Sequence, residues 1–423
     1  TGIQNTLIGG LAGDALTDAD FNTAVGYAAL SSDTLGSRSV AVGTGALFAQ
    51  NFTTATNAYN VAVGESAGTA VTTGDRNTLI GGLAGDALNT GAANVAVGYL
   101  ALSADTKGAS NVAIGRSALT TQNFTTGTDS FNVAVGDRAG TAVTTGGNNT
   151  LVGGLAGDAL TDADFNVALG YNALSSDTLG SKSTAIGTFA LETQNFTTAT
   201  DTHNTAVGYF AGVSVTDGLK NTFIGSLAGD ATNTGDFNTF IGYDTGGSNT
   251  GGSNNTIVGS GSQTSTVSSD AAVGLGPNIS CAAGFTTVGS GGDDIRAAHG
   301  TATWDTVSDE RYKKDIVDST AGLSFIKALK PRTFKYKNLG ELPETFRAYE
   351  ADSTDVFKNS NTNHGFIAQE VKTAIDAHPE IKDGFTMWGE RPDGGQAIGE
   401  AALIPMLVKA IQELEARVKE LEG

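Results

Sequence analysis

The chain has 423 residues and a formal net charge of −20; residues 1–300 hold 23 acidic and 8 basic residues, and residues 301–423 hold 21 and 16. An acidic surface without a basic run argues against charge-driven binding to nucleic acid or to an anionic membrane. The single cysteine, Cys281, excludes an intrachain disulfide and the usual Cys/His zinc sites, and no apolar run approaches the roughly 20 residues of a membrane span. We therefore predict no cofactor, no metal and no membrane insertion. Because the chain begins with Thr1 and not with Met, we expect a fragment or a processed form.

Residues 1 to about 290 consist of repeats with a period of 72 residues. The phrase Asn-Thr-Leu-Ile-Gly begins at Asn5 and returns, with small changes, at Asn77, Asn149 and Asn221. Within each period a shorter phrase, Asn-(Thr/Val)-apolar-apolar-Gly, recurs in steps of 17, 17, 21 and 17 residues, which gives seventeen coils at most. Each phrase predicts a very short strand followed by a second apolar patch and a turn. A 17-residue unit cannot bury a core alone, so we predict a solenoid roughly 80 Å long at about 4.8 Å per coil.

Two residues recur at fixed places in the coils. The recurrent glycine, as at Gly9 and Gly26, fits a corner where a side chain would clash or where φ must be positive. The recurrent asparagine fits either an amide ladder between coils or a turn residue. Two acidic clusters are predicted to be turn residues and not a calcium site, because turns favour Asp and two of the four blocks lack the full set: Asp14, Asp18 and Asp20, and Asp158, Asp162 and Asp164.

Each 21-residue coil carries an insert with a phenylalanine, at Phe52, Phe124 and Phe196. Stacking by four coils places these inserts on one side of the solenoid, roughly 19 Å apart. They are therefore candidate receptor contacts, as a ridge of exposed rings and amides. The alternative is a loop that folds its phenylalanine back onto the solenoid.

The repeat phrases carry a family resemblance. Asn60-Val61-Ala62-Val63-Gly64 and Asn111-Val112-Ala113-Ile114-Gly115 are similar to the head repeats of trimeric autotransporter adhesins, and such phrases also occur in phage tail fibres. The resemblance implies a left-handed parallel β-roll and a homotrimer of chains packed side by side. Coils of 17 and 21 residues are longer than the usual head coil, so a single-chain left-handed β-helix stays an alternative.

The composition changes near residue 300, because five of the six prolines but only nine of the 58 glycines follow it. We therefore predict a mostly β repeat region over 1–290, a neck over 291–307 that ends at a cleavage site, and a small α+β domain over 308–423. Within this domain we expect a short helix over 321–329, a strand over 332–337 and a helix reaching about Ala377.

The last predicted helix, over 401–422, has an apolar seam at coiled-coil spacing. Glu, Lys and Arg surround this seam, whose steps are 4, 4, 3, 4 and 3 residues: Leu403, Leu407, Ile411, Leu414, Val418 and Leu421. A lone helix of this length is marginal in water, which favours self-association. The alternative is packing on its own domain.

Three phrases after residue 307 resemble the intramolecular chaperone, or auto-processing peptidase domain, of phage tail spikes, tail fibres and endosialidases. They start at Ser308 (Ser-Asp-x-Arg-x-Lys-x-Asp-Ile), at Leu329 (Leu-x-Pro-x-x-Phe-x-Tyr) and at Gly365 (Gly-x-Ile-Ala-Gln-Glu-Val), and they stand in the family's order. The resemblance implies a domain that assists trimer formation and then cleaves itself from the chain.

The resemblance also implies a catalytic pair, Ser308 and Lys313, and a scissile bond between Val307 and Ser308. A serine hydroxyl needs a base to take its proton, and a lysine can act as that base when burial or nearby cations lower its pKa from about 10.4. The alternatives are a solvated charged turn for Ser308 and Lys313 and a purely structural role for His364. Four further residues are candidates for a supporting role: Asp309, Arg311, His364 and Gln369.

These features predict a phage tail fibre that attaches to a host receptor, either a glycan or an outer-surface protein, and that belongs to the virion. It would be a single-turnover serine endopeptidase acting only on its own chain. The alternative is a bacterial surface adhesin with the same two parts. A glycan-depolymerising enzyme is less favoured, because the repeats show no carboxylate pair in a distinctive phrase.

Overall fold

The chain divides into two compact units, Thr1–Val307 and Ser308–Gly423, in the computed structural model. The structure describes residues 2–301, 305–306, 310–346, 348–382, 385–390 and 394–423.

The first unit is a β-solenoid with one short strand per coil. In the described part of this unit, seventeen strands stack in parallel: Thr6–Ile8, Thr23–Val25, Val40–Val42, Val61–Val63, Thr78–Ile80, Val95–Val97, Val112–Ile114, Val133–Val135, Thr150–Val152, Val167–Leu169, Thr184–Ile186, Thr205–Val207, Thr222–Ile224, Thr239–Ile241, Thr256–Val258, Val273–Leu275 and Phe285–Ser290. Equivalent residues lie opposite each other from coil to coil, as Ala24 lies opposite Ala41. The predicted solenoid of about seventeen coils is confirmed.

The solenoid core is a column of small and large apolar side chains. From the second coil to the sixteenth, the middle residue of each strand points inward and is buried, as Ala96 is, whereas Leu7 of the first strand is 43% exposed. Where the middle residue is large, glycines make room for it. A Cβ on Gly68 or Gly85 would lie 2.6 or 2.8 Å from the side chain of Leu79. Small and large residues therefore pack closely against each other in the interior of these coils.

The recurrent glycine has a positive φ and also lies where a side chain would clash, so both explanations predicted from the sequence apply. Gly26 has a φ of 138°, and a Cβ there would lie 2.5 Å from the carbonyl oxygen of Gly43 in the next coil. Gly43 repeats this geometry against Gly64. Only glycine allows the coils to approach this closely at the corner.

The recurrent asparagine forms a buried ladder between coils. The side-chain Oδ1 of Asn77 accepts a hydrogen bond from the backbone N–H of Asn94 (3.0 Å), and Asn94 Nδ2 donates to the carbonyl of Gly108 (2.9 Å). Asn94 Oδ1 in turn accepts from the N–H of Asn111 (3.0 Å). Each buried amide thus satisfies backbone groups that water cannot reach. Of the two interpretations, the ladder is the one confirmed.

The long coils add a second parallel pairing and a buried carboxylate. The added pairs join Gly36–Ser37 to Thr56–Asn57, Gly108–Ala109 to Thr128–Asp129, and Gly180–Ser181 to Thr200–Asp201; a further pair, Gln263–Thr264 with Ser280–Cys281, follows later. Asp177 accepts hydrogen bonds from the N–H groups of Gly180 and Phe196 (both 3.0 Å) and from Gln194 Nε2 (2.5 Å). This network ties each insert to the coil beneath it.

The last coil is covered by antiparallel strands. Asp293–Ala298 pairs with Phe285–Ser290, and Asp305–Thr306 pairs with Asp293–Ala298. The predicted neck over 291–307 therefore contains strands that extend the solenoid sheet. An uncovered terminal coil would offer unpaired backbone groups to other chains, which this antiparallel addition prevents on its side of the sheet.

The second unit is a small α+β fold around one core. Its elements, in chain order, are 3₁₀ helix Glu310–Tyr312, helix Leu323–Ala328, strand Arg332–Phe334, 3₁₀ helix Leu339–Glu341, strand Asn363–Gly365, helix Ala368–Asp376, strands Trp388–Glu390 and Gln396–Ile398, 3₁₀ helix Glu400–Leu403 and helix Ile404–Glu422. The strands form two antiparallel pairs. The buried core residues are Ala321, Phe325, Val371, Ala374, Ile375, Ile381, Met387 and Leu403.

The elements expected for this unit are confirmed with shorter bounds for the first helix and the first strand. Among the helices that the structure describes, none has the length and apolar character that a bilayer crossing requires.

Candidate functional site

The phenylalanines of the inserts are not exposed. Phe52, Phe124 and Phe196 retain 6, 8 and 8% exposure. A Cβ on Gly36 would lie 2.8 Å from the ring of Phe52, so the ring fills the space beside that glycine. The predicted ridge of exposed rings is therefore wrong, and the alternative, a loop that folds its phenylalanine back onto the solenoid, is the one observed. The rings fold back onto the solenoid because their burial stabilises an insert that has few other apolar groups.

The acidic residues of the solenoid serve its turns. Asp20 Oδ1 accepts a hydrogen bond from the N–H of Ile3 (2.7 Å), and Asp164 Oδ1 accepts one from Gly147 (2.6 Å). Within the described residues, no group of three or more His, Cys, Asp or Glu could hold a metal ion. Cys281 is buried, and burial, with a smaller contribution from Asp294, raises the pKa of its thiol to about 11. It is an interior residue and not a reactive thiol.

The predicted scissile bond falls at the junction of the two units. Val307, Ser308 and Asp309 lie outside the described residues. Val307 ends the first unit and Ser308 begins the second. The nearest described elements in sequence are the strand Asp305–Thr306 and the 3₁₀ helix Glu310–Tyr312.

Lys313 follows directly on this 3₁₀ helix. Its backbone N–H donates to the carbonyl of Glu310 (2.9 Å), and its side chain is exposed in the second unit. Arg311 and Lys314 are exposed as well. Arg311, Lys313 and Lys314 are thus three cations close together in sequence at the surface of this unit.

His364 and Gln369 lie on adjacent elements. His364 is exposed on the strand Asn363–Gly365 and stands opposite Thr333 of the neighbouring strand. It lines a cavity of about 460 Å³ together with Pro331, Arg332, Thr333, Gly365 and Phe366. Gln369 is exposed in the first turn of the helix Ala368–Asp376. A histidine at an open cavity is accessible to a neighbouring segment of chain.

A bidentate ion pair beside this cavity was not predicted from the sequence. Arg332 Nε and Nη2 donate to the carboxylate of Glu370 at 2.9 and 2.6 Å. The hydrogen bond and the charge of Arg332 lower the pKa of Glu370, and Glu370 raises the pKa of Arg332. Both residues lie within the family phrases. Their opposite charges were the signal in the sequence that could have indicated the pair. The pair joins the strand Arg332–Phe334 to the helix Ala368–Asp376.

The apolar seam of the last helix is exposed, with one correction. Leu403 is 7% exposed and belongs to the core of its own unit, because it lies in the 3₁₀ helix before the long helix begins. The prediction of Leu403 as a seam residue is therefore wrong, and Ile404 takes its place with 62% exposure. The remaining seam residues are 43 to 87% exposed: Leu407, Ile411, Leu414, Val418 and Leu421.

The second unit matches a known protein family over part of its length. Residues 308–378 match the family model Peptidase_S74, described as chaperone of endosialidase. Residues 308–378 of the second unit therefore match a chaperone-of-endosialidase domain, and this unit is called the chaperone domain from here on. A search of curated proteins gives no match for the chain. A β-solenoid followed by this chaperone domain is the arrangement of a tail fibre or tail spike, as the sequence predicted.

The matched segment of the chaperone domain begins at Ser308 and includes Lys313, His364 and Gln369, as well as the ion pair of Arg332 with Glu370. The long helix Ile404–Glu422 lies beyond its end. The name of the matching family denotes a peptidase, and the family implies autoproteolytic activity in general.

Proposed function

We propose that this chain is a receptor-binding fibre of a phage tail whose chaperone domain assembles three copies and then cuts itself off. The observation that carries the proposal is a chaperone family match that begins at Ser308, directly after a repeat solenoid that ends at residue 307. The fibre would be part of the virion and would bind a glycan or a protein on the surface of a host cell.

The cleavage chemistry needs only groups of this chain. Lys313 takes the proton of the Ser308 hydroxyl, and the oxygen attacks the carbonyl carbon of Val307. The peptide bond breaks, the Ser308 nitrogen becomes a free amine, and an ester links Val307 to the Ser308 oxygen. Water then hydrolyses the ester and yields the Val307 carboxylate and the Ser308 hydroxyl. Asp309, Arg311, His364 and Gln369 remain candidates for orienting this segment.

Assembly is needed because the repeats do not define their own register between chains. Blocks of 72 residues with nearly the same sequence can pair one block out of place. A domain that joins the C-terminal ends first would align the copies from a common start. Cleavage after folding would leave a fibre that unfolds only slowly.

The exposed helix seam supports self-association of the chaperone domain. Ile404, Ile411 and Val418 occupy one heptad position, and Leu407, Leu414 and Leu421 occupy the other, in steps of 3, 4, 3, 4 and 3 residues. Apolar residues at both positions form the buried core of a coiled coil. Because β-branched residues alternating with leucine also suit two strands, the number of chains is part of the test.

A surface adhesin of bacteria is the second candidate function, favoured by the repeat phrases of the Asn60-Val61-Ala62-Val63-Gly64 type. The two candidates differ in what precedes the solenoid in the complete protein. A segment that docks on a virion supports the fibre, whereas a secretion signal or a membrane anchor supports the adhesin.

The self-cleavage is tested with matched substitutions. We expect the wild-type chain to yield fragments that end at Val307 and begin at Ser308, as measured by intact-mass spectrometry after denaturation. Ser308→Ala and Lys313→Met should stay whole, whereas the neighbouring changes Ser319→Ala and Lys314→Met should cleave as the wild type does. Light scattering of the Ser308→Ala chain should give the mass of three copies. A wild-type chain that folds and stays whole would refute the peptidase role, and a monomer would refute the assembly role.

A further inference from the structure

The residue directly before each ladder asparagine or serine forms an exposed row along the solenoid, here called the corner column. Its backbone N–H donates to the preceding coil, as Phe21 does to Ile3 (3.1 Å). In chain order the corner column is Gln4, Phe21, Arg38, Tyr59, Arg76, Ala93, Ser110, Phe131, Asn148, Phe165, Lys182, His203, Lys220, Phe237, Asn254 and Ala271. The interior residues of successive blocks are nearly the same, whereas the residues of this column vary from block to block.

The aromatic residues of the corner column are not required by the fold. Phe21, Phe165 and Phe237 have positive φ values of 61, 59 and 56°, a conformation that bulky residues rarely adopt. Asn148 and Asn254 stand at the same position with φ values of 59 and 61°, and asparagine accepts this conformation readily. The fold imposes this conformation at the column position of the coils generally, so the backbone does not dictate an aromatic residue there.

Aromatic and polar residues alternate along the column. Every second coil from Phe21 to Phe237 presents an aromatic ring, with a single gap at Ala93. The coils between them present cations, amides or a serine. At about 4.8 Å per coil the rings recur every roughly 10 Å. This spacing is close to the length of two sugar residues in an extended polysaccharide.

The rings are open to solvent and surrounded by hydrogen-bonding groups. The phenylalanines and the tyrosine of the column are 44 to 56% exposed. The Arg38 guanidinium stands 4.7 Å from the ring centroid of Phe21 and 5.9 Å from that of Tyr59, and Lys220 stands 4.8 Å from that of Phe237. These cations stand against the rings of Phe21, Tyr59 and Phe237, and each of these three residues remains about half exposed.

We propose that the corner column binds an extended, uncharged polysaccharide. The apolar face of every second sugar would stack on an aromatic ring, and the hydroxyl groups between would bond to the alternating polar side chains. An uncharged ligand fits because two of the four Arg and Lys residues of the column are paired with carboxylates, Arg76 with Asp75 (3.2 Å) and Lys182 with Asp201 (2.5 Å), and the other two, Arg38 and Lys220, stand against aromatic rings. Charged residues are scarce at the centre of lasting protein interfaces, which makes a second copy of the chain the poorer occupant. The proposal rests on the attachment role above and names its ligand class.

The test compares two exposed rows of aromatic residues. One variant replaces Phe131, Phe165 and Phe237 by Ala. The matched control replaces Tyr27, Tyr99 and Tyr171, which are 50 to 60% exposed in another row, by Ala. A third variant, Ala93→Phe, closes the gap in the column. Binding of the full chain is measured by affinity electrophoresis in hydroxyethyl cellulose, in dextran and in heparin, which represent an extended uncharged, a flexible uncharged and an acidic polysaccharide.

We expect hydroxyethyl cellulose to retard the wild-type chain and the tyrosine control, at least tenfold weaker binding of the phenylalanine variant, and tighter binding of Ala93→Phe. Absence of retardation, stronger binding to heparin or to dextran, or equal loss in the tyrosine control would overturn the proposal. A fall in the mass of the oligomer for the phenylalanine variant would instead assign the column to a second copy. Because Ser308→Ala should bind as the wild type does, this result is independent of self-cleavage.

Discussion

The two units differ in where they place polar and apolar side chains. The solenoid buries polar side chains in long ladders, as at Asn77, Asn94 and Asn111, and each is satisfied by the next coil. The chaperone domain has one small core and leaves an apolar seam on its last helix exposed. The solenoid is therefore built to persist by repetition, since every coil contacts only its neighbours, whereas the chaperone domain is built to meet other copies of itself.

The largest effect is expected from a charge placed in the exposed apolar seam of the last helix, which tests whether copies of the chain associate there. Ile411→Lys should abolish self-association, because each copy loses an apolar contact worth about 1.5–3 kcal/mol and gains a charge at the axis. The measurement is the mass of the Ser308→Ala chain by light scattering. Gln412→Lys adds the same charge on the neighbouring exposed position and should leave the mass unchanged. If both variants keep the wild-type mass, the seam is not the contact between copies.

A second prediction tests how tightly adjacent coils depend on each other. Gly98 has a φ of 139°, and a Cβ there would lie 2.4 Å from the carbonyl oxygen of Gly115. Gly98→Ala should lower the free energy of unfolding of the solenoid by about 2–6 kcal/mol, from backbone strain and a clash that no side chain can relieve. Urea unfolding followed by circular dichroism measures this. The control is Gly127→Ala in an insert, where a Cβ meets nothing within 4 Å and little change is expected.

The smallest expected effect is a difference in pH dependence between the units. Burial raises the pKa of Asp86, Asp158, Asp177 and Asp230 above the ordinary 3.8. The folded solenoid therefore favours their protonated forms. Their contribution to stability is complete below pH 3.8 and is lost as the pH rises through the raised values. The solenoid should thus unfold at a higher urea concentration when the pH is lowered from 7 towards 4, and Asp177→Asn should reduce this gain.

The chaperone domain should respond in the opposite direction. Arg332 lowers the pKa of Glu370 below its ordinary 4.5, so the pair stabilises the domain above that pH and this contribution is lost as the pH falls through the lowered value. The effect is slight because the pair is exposed. Fluorescence of Trp388 reports on this domain when the other tryptophan of the chain, Trp304, is replaced by Phe. If both units gain or both lose stability on acidification, the contrast in their electrostatics does not hold.

Most of the architecture was predictable because the repeats carry a local signal many times over. The phrase Asn-Val-Ala-Val-Gly at Asn60 contains a strand, an inward alanine, a ladder amide and a corner glycine, and seventeen coils repeat this plan. The chaperone domain was predictable from family phrases in their order. The exposed helix seam was predictable except at its first residue, since the position of Leu403 depends on where the long helix begins.

The sequence by itself determined the coil lengths, the place of the strand in each coil, the border near residue 307 and the chemical types at the candidate cleavage site. Only the tertiary structure decided that Phe52, Phe124 and Phe196 are buried, that Arg332 pairs with Glu370, and that exposed aromatic rings line the corner column. The physical reason is the distance over which a sequence pattern carries information about contacts. Periodicity reports contacts between neighbours along a repeat, whereas the side on which an insert folds depends on space left open by other coils.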